Sequence, residues 1–134
     1  MEKSKQILGL DLGNRHIGVA LLNLESKVAI PLSAIPNNRQ LYKTLEQLVK
    51  EYRIDKIVAG LPLTLTGSES PQTGLARVLA QKISDHLQIA VELQDERLTS
   101  RQATNMLQGE HNHPPHHQDS VAAQLILESW LNQQ

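Results

Sequence analysis

The first quarter of the chain alternates between apolar and polar or small residues, which is the pattern of strands with one buried face. Leucine occupies every second position of residues 7–12, with Gly9 and Asp11 between the leucines. Gly13 and Asn14 follow, and this pair suits the positive φ angles of a tight hairpin turn. The chain then returns through a second alternating segment. The pattern therefore predicts a β-hairpin.

A third strand is predicted over residues 28–34, after a turn at residues 25–27. Pro31 lies inside this strand and has no N–H group to donate to a neighbouring strand. Proline is tolerated in a strand whose outer side has no partner. We therefore expect the third strand at an edge of the sheet.

Segments in which apolar residues have helical spacing then alternate with short apolar segments that predict strands. One helix is predicted to begin near Asn38. A second is predicted to begin at Ser70–Pro71, where a hydroxyl caps the helix and proline takes its first position. Leu75, Leu79 and Ile83 are expected to form the inner face of this second helix. The fourth and fifth strands are predicted over residues 56–60 and 89–93.

Two helices are predicted near the end of the chain. Thr99 and Gln102 form a capping-box pattern at the start of the first. A polar loop follows over residues 111–118, and the last helix covers residues 119–131. The order of elements predicts an α/β fold, with a mixed five-stranded sheet and helices on both faces, built from residues 1–134 as a single domain.

The composition restricts the function. The chain has no cysteine, which excludes disulfides and thiolate metal sites and suits a reducing, cytoplasmic location. The 13 basic and 14 acidic residues nearly cancel, so a grip on nucleic acid would depend on local placement of Arg and Lys or on bound metal. No apolar run is long enough for a signal peptide or a membrane span, so no membrane partner is expected.

Carboxylates occur at three points where a predicted element begins or ends. Asp11 lies on the first strand, Asp95 and Glu96 follow the fifth strand, and Asp119 opens the last helix. The carboxyl ends of strands are the usual place for ligands in such sheets. Carboxylates that met there would repel one another unless a cation held them, and Mg²⁺ or Mn²⁺ suits oxygen ligands. The pattern thus indicates a site for one or two metal ions.

Each of these carboxylates also has a purely structural interpretation. Asp119 can be a helix N-cap, and Asp95 or Glu96 can stabilise the dipole of the helix that follows. Asp11 fits such an interpretation poorly, because an unpaired carboxylate buried in an apolar strand costs several kcal/mol. Asp11 is therefore the strongest functional candidate among them.

The polar loop and three arginines offer further chemistry. The loop histidines could hold zinc, but without a second ligand cluster a gain of positive charge below about pH 6.5 is the favoured interpretation. Arg15, Arg97 and Arg101 could bind phosphates near the proposed centre, although solvent exposure alone also explains them. No glycine-rich phosphate loop and no serine triad is indicated. The loop histidines are His111, His113, His116 and His117.

Four stretches, taken together, resemble one protein family. The first is LGLDLGNRHIGVA at residues 8–20. The second combines GLP at residues 60–62 with GSESPQ at residues 67–72. The third is DERLTS at residues 95–100, and the fourth is DSVAAQLIL at residues 119–127. In order and spacing these stretches resemble the YqgF/RuvX family of bacterial proteins over nearly the whole chain.

The resemblance implies a ribonuclease-H-like fold and hydrolysis of phosphodiester bonds with Mg²⁺ or Mn²⁺ as cofactor. Asp11, Glu96 and Asp119 would be both the catalytic residues and the metal ligands. The expected partner is structured nucleic acid, either precursor ribosomal RNA or branched DNA, and the protein is expected to be a monomer or weak homodimer. The candidates for substrate binding are Arg15, His16, Pro62, Gly67, Ser68 and Arg97.

The sequence departs from the family pattern in the loop before Asp119. This loop is rich in histidine, whereas in relatives it is typically rich in Lys and Arg, so we expect substrate binding to strengthen at mildly acidic pH. Many relatives also have a basic residue where His16 stands and glycine where Ser70 stands.

Three functions remain in view. The preferred one is a nuclease that processes the 5′ end of precursor 16S rRNA during ribosome biogenesis, and a Holliday junction resolvase is the alternative. A non-catalytic ribosome-assembly or nucleic-acid-binding protein is the third. Phosphate binding as in sugar kinases and actin-like ATPases is disfavoured, because those proteins enclose ATP between two such domains.

Overall fold

The computed structural model describes residues 5–63, 66–95 and 117–134, with residues 117–119 described by their backbone alone. The helix predicted after Thr99 lies outside these ranges, and so do residues 111–116 of the loop predicted over residues 111–118. The last two residues of that predicted loop, 117 and 118, belong to a helix instead. The strands are β1 (Gln6–Leu12), β2 (His16–Asn23), β3 (Val28–Pro36), β4 (Lys56–Leu61) and β5 (Ala90–Asp95). The described helices are α1 (Leu41–Tyr52), α2 (Pro71–Leu87) and α3 (His117–Asn132).

All five of these strands form one sheet, in the order β3-β2-β1-β4-β5. Antiparallel pairing joins β1 to β2 and β2 to β3, whereas β4 pairs in parallel with both β1 and β5. The mixed five-stranded sheet predicted from the order of elements is therefore confirmed. Pro31 lies in the edge strand β3, as its missing N–H group predicts.

Helices cover both faces of the sheet, as predicted. On one face, α1 and α2 pack through a cluster that includes Leu8, Leu45 and Ile83. On the other face, α3 packs through a cluster that includes Ile7 and Leu127. The central strands thus bury alternate residues in two separate cores. None of the helices in the described ranges is long and apolar enough to cross a membrane.

The turn between β1 and β2 differs from the prediction. Neither residue of the predicted Gly-Asn pair has a positive φ angle. Residues 13–16 connect the last paired residues, Leu12 and Ile17, and a connection of this length does not need the positive φ angles of a two-residue turn. Glycine is required at Gly13 for another reason, since a Cβ atom there would lie 2.4 Å from the carbonyl oxygen of His16.

The inner face of α2 is only partly as predicted. Ile83 is fully buried and Leu79 packs against the core, but Leu75 is 63% exposed. The residues nearest the sheet are mostly small, which lets the helix approach closely, and the large leucine side chain is left outside. The buried residues of α2 are Thr73, Ala76, Ala80 and Ile83.

The starts of α1 and α3 can be compared with their predicted positions. Asn38 Oδ1 accepts a hydrogen bond of 2.9 Å from the backbone N–H of Gln40 just before α1, in agreement with a start near Asn38. Helix α3 begins at His117 rather than at residue 119. Asp119 therefore lies inside the helix, and its interpretation as an N-cap is wrong.

Candidate active site

Asp11 lies near the carboxyl end of β1, on the face of the sheet that α3 covers. Ile7 belongs to the cluster packed under α3, and Gly9 lies directly beneath Leu127 of that helix. Since side chains alternate along a strand, Asp11 points to the same face. It is half-buried. The carboxylate is therefore placed at the margin of the α3 core, where a ligand from solvent can reach it.

Glycines flank Asp11 on both neighbouring strands. Asp11 pairs with Gly18 of β2. On the other side, Gly60 directly follows Ala59, which pairs with Leu10 of β1. Because neither glycine has a side chain, the adjacent strands add no atoms above the backbone beside the carboxylate. This arrangement suits the close approach of a bulky ligand such as a phosphodiester.

Helix α3 rests directly on the strand that carries Asp11. A Cβ atom at Gly9 would lie 2.5 Å from Cγ of Leu127, which is far inside van der Waals contact. Leu127 is itself fully buried, so its side chain has little room to move aside. Glycine at this position therefore sets the distance between β1 and α3.

The first turn of α3 is tied to the sheet beside Asp11. The backbone N–H of Val19 donates a hydrogen bond of 3.4 Å to Ser120 Oγ, and Ser120 is buried. The register between β2 and β3 shifts just before Val19. Val19 also directly follows Gly18, the residue that pairs with Asp11. The backbone of Asp119, which precedes Ser120, is thus held at the same end of the sheet.

Strand β5 presents alternate residues to α3. Trp130 Nε1 donates a hydrogen bond to the Glu92 carboxylate, and Gln94 Nε2 donates one of 3.1 Å to Ser129 Oγ. Asp95 is the next residue, and alternation places it on the opposite face of the sheet. Along β5, the even-numbered positions therefore face α3 and Asp95 does not.

The predicted metal ligands are only partly within the described residues. Glu96, Arg97 and the side chain of Asp119 lie outside them. Among the residues that the structure does describe, no three His, Asp or Glu side chains are close enough to hold a metal ion. The donor chemistry fits Mg²⁺ or Mn²⁺, because Asp11 supplies carboxylate oxygens on the same face and at the same end of the sheet as the start of α3.

The loop after β1 is held by Asn37. The Nδ2 group of Asn37 donates to the carbonyl oxygens of Gly13 at 3.0 Å and Asn14 at 3.2 Å. Its backbone N–H donates to the carbonyl oxygen of Arg15 at 2.8 Å. The Arg15 side chain is exposed, and His16 is half-buried at the start of β2. Both predicted substrate-binding residues thus lie at the end of the sheet where β1 terminates.

The segment between β4 and α2 is held by Thr73. Thr73 is fully buried, and its Oγ1 donates to the carbonyl oxygen of Pro62 and accepts a hydrogen bond of 2.9 Å from the N–H of Ser70. Gly67 has a φ of 85°, which favours glycine, and Ser68 is exposed. The predicted substrate-binding residues of this segment therefore lie beyond the carboxyl end of β4.

Three residues that position this end of the sheet were not predicted: Asn37, Thr73 and Ser120. Each acts through a hydrogen bond to backbone that is distant along the chain, and no local pattern reveals such a bond. For two of them, the sequence contains a feature that could have suggested the role. Ser120 is a hydroxyl in an otherwise apolar stretch, and Thr73 stands three residues after the predicted cap Ser70, where a capping partner is found.

Asp11 lies on β1 near the start of the last helix, and a comparison of the sequence with protein-family models adds a second observation. The family model described as "RuvX: Holliday junction resolvase" matches residues 5–133. The chain belongs to the RuvX family. The resemblance of its four sequence stretches to that family is thereby confirmed.

Relatives of this RuvX-family chain are found in distant bacteria. A protein of Orientia tsutsugamushi (strain Ikeda) is 40% identical over 131 residues, which cover 95% of this chain and 83% of that protein. A protein of Chloroflexus aggregans (strain MD-66 / DSM 9485) is 37% identical over 131 residues, which cover 94% of this chain and 92% of that protein. Both relatives carry the name "Putative pre-16S rRNA nuclease".

Solved structures of junction-resolving enzymes share the fold of the RuvX-family chain. Thermus thermophilus RuvC in complex with a Holliday junction substrate has a TM-score of 0.58 at 14% identity, covering 96% of this chain and 95% of that chain. The fowlpox virus Holliday junction resolvase has a TM-score of 0.52 at 11% identity, covering 96% and 97%. The ribonuclease-H-like fold is confirmed by this similarity, which at such low identity extends to the fold alone.

Proposed function

We propose that this RuvX-family protein is a nuclease that hydrolyses phosphodiester bonds in structured nucleic acid, and that the 5′ end of precursor 16S rRNA is its substrate. The observation that carries the proposal is the position of Asp11. Its carboxylate lies between Gly18 and Gly60, on the face of the sheet where α3 begins. The names of the relatives support the choice of ribosomal RNA.

Asp11, Glu96 and Asp119 would hold the divalent metal in this proposal. The alternation along β5 supports Glu96 rather than Asp95 as the second ligand, since even-numbered positions face α3. Bound Mg²⁺ or Mn²⁺ would supply a hydroxide-like nucleophile and stabilise the departing oxygen. The chain itself contributes rigidity, because Ser120 and Leu127 fix α3 against the strands beside Asp11.

The substrate would be held by groups that surround this end of the sheet. Arg15 and Arg97 would bind phosphate oxygens, and His16 would add positive charge when protonated. Pro62, Gly67 and Ser68 would form part of the surface along which the nucleic acid lies. The near balance of acidic and basic residues means that these local groups, with the metal, must provide the binding energy.

Substitution Asp11→Asn tests the site assignment. It preserves the size of the side chain and removes one charged metal ligand, so the rate of cleavage should fall at least about 100-fold. The melting temperature should stay equal or rise, because asparagine keeps the size of the side chain and removes a charge from a half-buried position. Cleavage of a 5′-extended 16S RNA fragment in Mn²⁺ and thermal unfolding are the two measurements.

The matched control is Asp55→Asn, an exposed aspartate just before β4 at the opposite end of the sheet. This variant should cleave at the wild-type rate. Chelation with EDTA should stop the wild-type reaction, and added Mn²⁺ should restore it. Undiminished cleavage by Asp11→Asn would show that the carboxylate is not part of the site.

A four-way DNA junction is the second candidate substrate, favoured by the description of the matching family model. The same assay, run with labelled RNA precursor and labelled junction side by side, ranks the two. Faster cleavage of the precursor supports rRNA processing. Tight binding of both without cleavage of either would favour the third interpretation, a non-catalytic assembly protein.

A further inference from the structure

A groove of about 490 Å³ lies at the carboxyl ends of β1 and β4, on the face of the sheet opposite Asp11. The end of β1 with the loop after it, the start of α1 and the side of α2 that carries Leu75 and Leu79 form its walls. Its volume lies within the range of roughly 300–1,000 Å³ that small-ligand sites span. We name it the α2 groove; its walls include Leu12, Asn14, Asn37, Tyr42, Leu75 and Lys82.

One wall of the α2 groove is apolar and open to solvent. Leu75 is 63% exposed and Val78 is 53% exposed, and both lie on the groove side of α2. Tyr42 adds an aromatic ring, which stacks on His86 with ring centroids 4.4 Å apart. Large apolar side chains left together at a concave surface mark a binding site more often than single ones do.

The remaining walls carry polar groups that can still form hydrogen bonds. Asn37 uses its Nδ2 group on the loop after β1, while its Oδ1 accepts no hydrogen bond from the part of the chain that the structure describes. Within the same ranges, the Tyr42 hydroxyl has no hydrogen bond and Lys82 has no ion pair. Asn14 and Gln72 add two more amides to the walls. The groove therefore offers donors, acceptors and one cation.

The α2 groove adjoins the proposed active site along the chain. Leu12, which lines the groove, directly follows Asp11. Because side chains alternate along β1, the two residues face opposite sides of the sheet at the same end. A single strand that passes over the carboxyl end of the sheet would reach both. A duplex is too wide and stiff to make that turn.

We propose that the α2 groove binds an unpaired nucleotide of the nucleic acid that the protein cleaves, close to the scissile phosphate. Its base lies against Tyr42 and the apolar wall of Leu75 and Val78, as bases of single-stranded RNA lie on aromatic and apolar side chains. The amides of Asn37 and Gln72 meet the polar edge of the base. This inference rests on the proposed nuclease function.

The charge of the groove favours a nucleotide over a second protein chain. Lys82 lies at the wall and has no carboxylate partner among the described residues. A phosphate group of a nucleotide can serve as the anionic partner of this lysine. Three amides around an apolar wall suit the edge and face of a base, whereas an apolar helix would leave those amides without partners.

Binding of a single-stranded RNA tetranucleotide, followed by NMR of the ¹⁵N-labelled protein, tests the proposal without requiring cleavage. The side-chain amide signals of Asn14, Asn37 and Gln72 should shift as the tetranucleotide is added. A blunt RNA duplex should not shift them, because its bases are paired and stacked. Leu75→Glu should weaken tetranucleotide binding roughly 10-fold, by loss of stacking surface and by repulsion of phosphate.

Matched controls separate loss of the groove from loss of the fold. Val28→Glu places the same charge at a position that is 53% exposed on β3, outside the groove, and Lys50→Ala removes an exposed lysine from the last turn of α1. Both should bind the tetranucleotide as the wild type does. Lys82→Ala should bind it more weakly.

Each outcome decides between the two proposals. Shifted groove signals with no cleavage of any substrate would retain the nucleotide site and overturn the nuclease. Cleavage by the wild type with groove signals unmoved, or with Leu75→Glu as active as Val28→Glu on a substrate with a single-stranded flank, would overturn the nucleotide site alone. Groove signals that move with protein concentration, and not with RNA, would show that a second copy of the chain occupies the groove.

Discussion

The two faces of the sheet are packed in opposite ways. Under α3, contact is so close that glycine is needed at position 9, and even a serine hydroxyl is buried at the interface. Under α1 and α2, the strands and α1 fill the core mostly with leucine and isoleucine, while α2 contributes mainly small residues. The end of this layer opens into the α2 groove with Leu75 and Val78 exposed. Within the described residues, contact is closest where α3 crosses β1, and a cavity opens at the end of the opposite face.

In the proposed nuclease, this difference would separate two tasks. The proposed metal ligands would need fixed positions, and a helix pressed onto β1 gives the backbone around Asp11 rigidity. The proposed nucleotide would need room, and the less tightly covered end of the opposite face would provide it. Substitutions that add or remove a few atoms on each face test whether the two faces differ in this way.

The largest effect on stability is expected from Gly9→Ala. The added Cβ atom would lie 2.5 Å from Cγ of the fully buried Leu127. Overpacking of this kind costs about 2 kcal/mol of unfolding free energy. Urea unfolding followed by circular dichroism measures it. Cleavage should also fall, because α3 would be displaced from the strand that carries Asp11.

A double substitution checks that the cause is this contact. Leu127→Ala alone creates a cavity and is destabilising. Combined with Gly9→Ala, it makes room for the new methyl group, so the double variant should be less destabilised than the sum of the two single variants. Additive losses would mean that Gly9 and Leu127 do not compete for the same space.

A smaller effect is expected from Ser120→Ala. It removes the acceptor of the Val19 N–H group and should cost about 1 kcal/mol. The amide hydrogen of Val19 should exchange with solvent faster, which NMR can follow. Cleavage should fall by a larger factor than this loss of stability explains, because Asp119 directly precedes Ser120 in the turn that the hydrogen bond holds.

The comparison variant for that test is Gln124→Ala, in the middle of α3. Gln124 Nε2 donates a hydrogen bond of 3.0 Å to the carbonyl oxygen of Ala29. Ala29 pairs with Leu22, which pairs with Ile7 near the start of β1, so a hydrogen bond is lost at the end of the sheet opposite Asp11. Stability should fall by a similar amount while cleavage is kept. Equal losses of cleavage in the two variants would argue against a special role for the first turn of α3.

The smallest effect, and one of opposite sign, is expected from Gly74→Ala on the other face. A Cβ atom at Gly74 meets nothing within 4 Å, and alanine restricts the unfolded chain more than glycine does. The variant should be more stable by about 0.5 kcal/mol. A loss of stability in urea unfolding would contradict the open packing assigned to this side of α2.

The sequence was sufficient to predict the strands, their mixed arrangement and the edge position of Pro31. These features depend on local signals: alternation that buries every second residue, and a missing N–H group. The start of α1 near Asn38 and the pair Ser70–Pro71 also depend on local interactions, the first on the hydrogen bond from the Gln40 N–H to Asn38 and the second on a capping box. Local signals did not decide everything, since the two-residue turn at Gly13–Asn14 and the N-cap at Asp119 were wrong.

The failure at Leu75 concerns an interaction across space, and the failure at Gly13 concerns a contact that turn statistics do not describe. Leu75 was predicted inside because leucine is strongly apolar, but the distance between α2 and the sheet admits the smaller Ala76 and Ala80 instead. Gly13 was predicted from turn statistics, whereas the nearby carbonyl group of His16 is what requires glycine. Hydrophobicity alone does not specify how close two elements come.

The candidate site was predictable in one part. An aspartate within an apolar strand is visible in the sequence, and Asp11 does face α3. The glycines that flank it, Gly18 and Gly60, could not be assigned this role without the strand register. Asn37 likewise follows β3, and only the fold brings it to the loop after β1.

The hydrogen bond between Trp130 and Glu92 places an intrinsic fluorescent probe between α3 and β5. Trp130 is the single tryptophan of the chain, it is 6% exposed, and Lys56 Nζ lies 5.0 Å from the centre of its ring. Its fluorescence therefore reports whether the helix that bears Asp119 is seated on the sheet. Detachment of α3, by mutation or by an incoming substrate, would shift the emission to longer wavelength before the rest of the fold is lost.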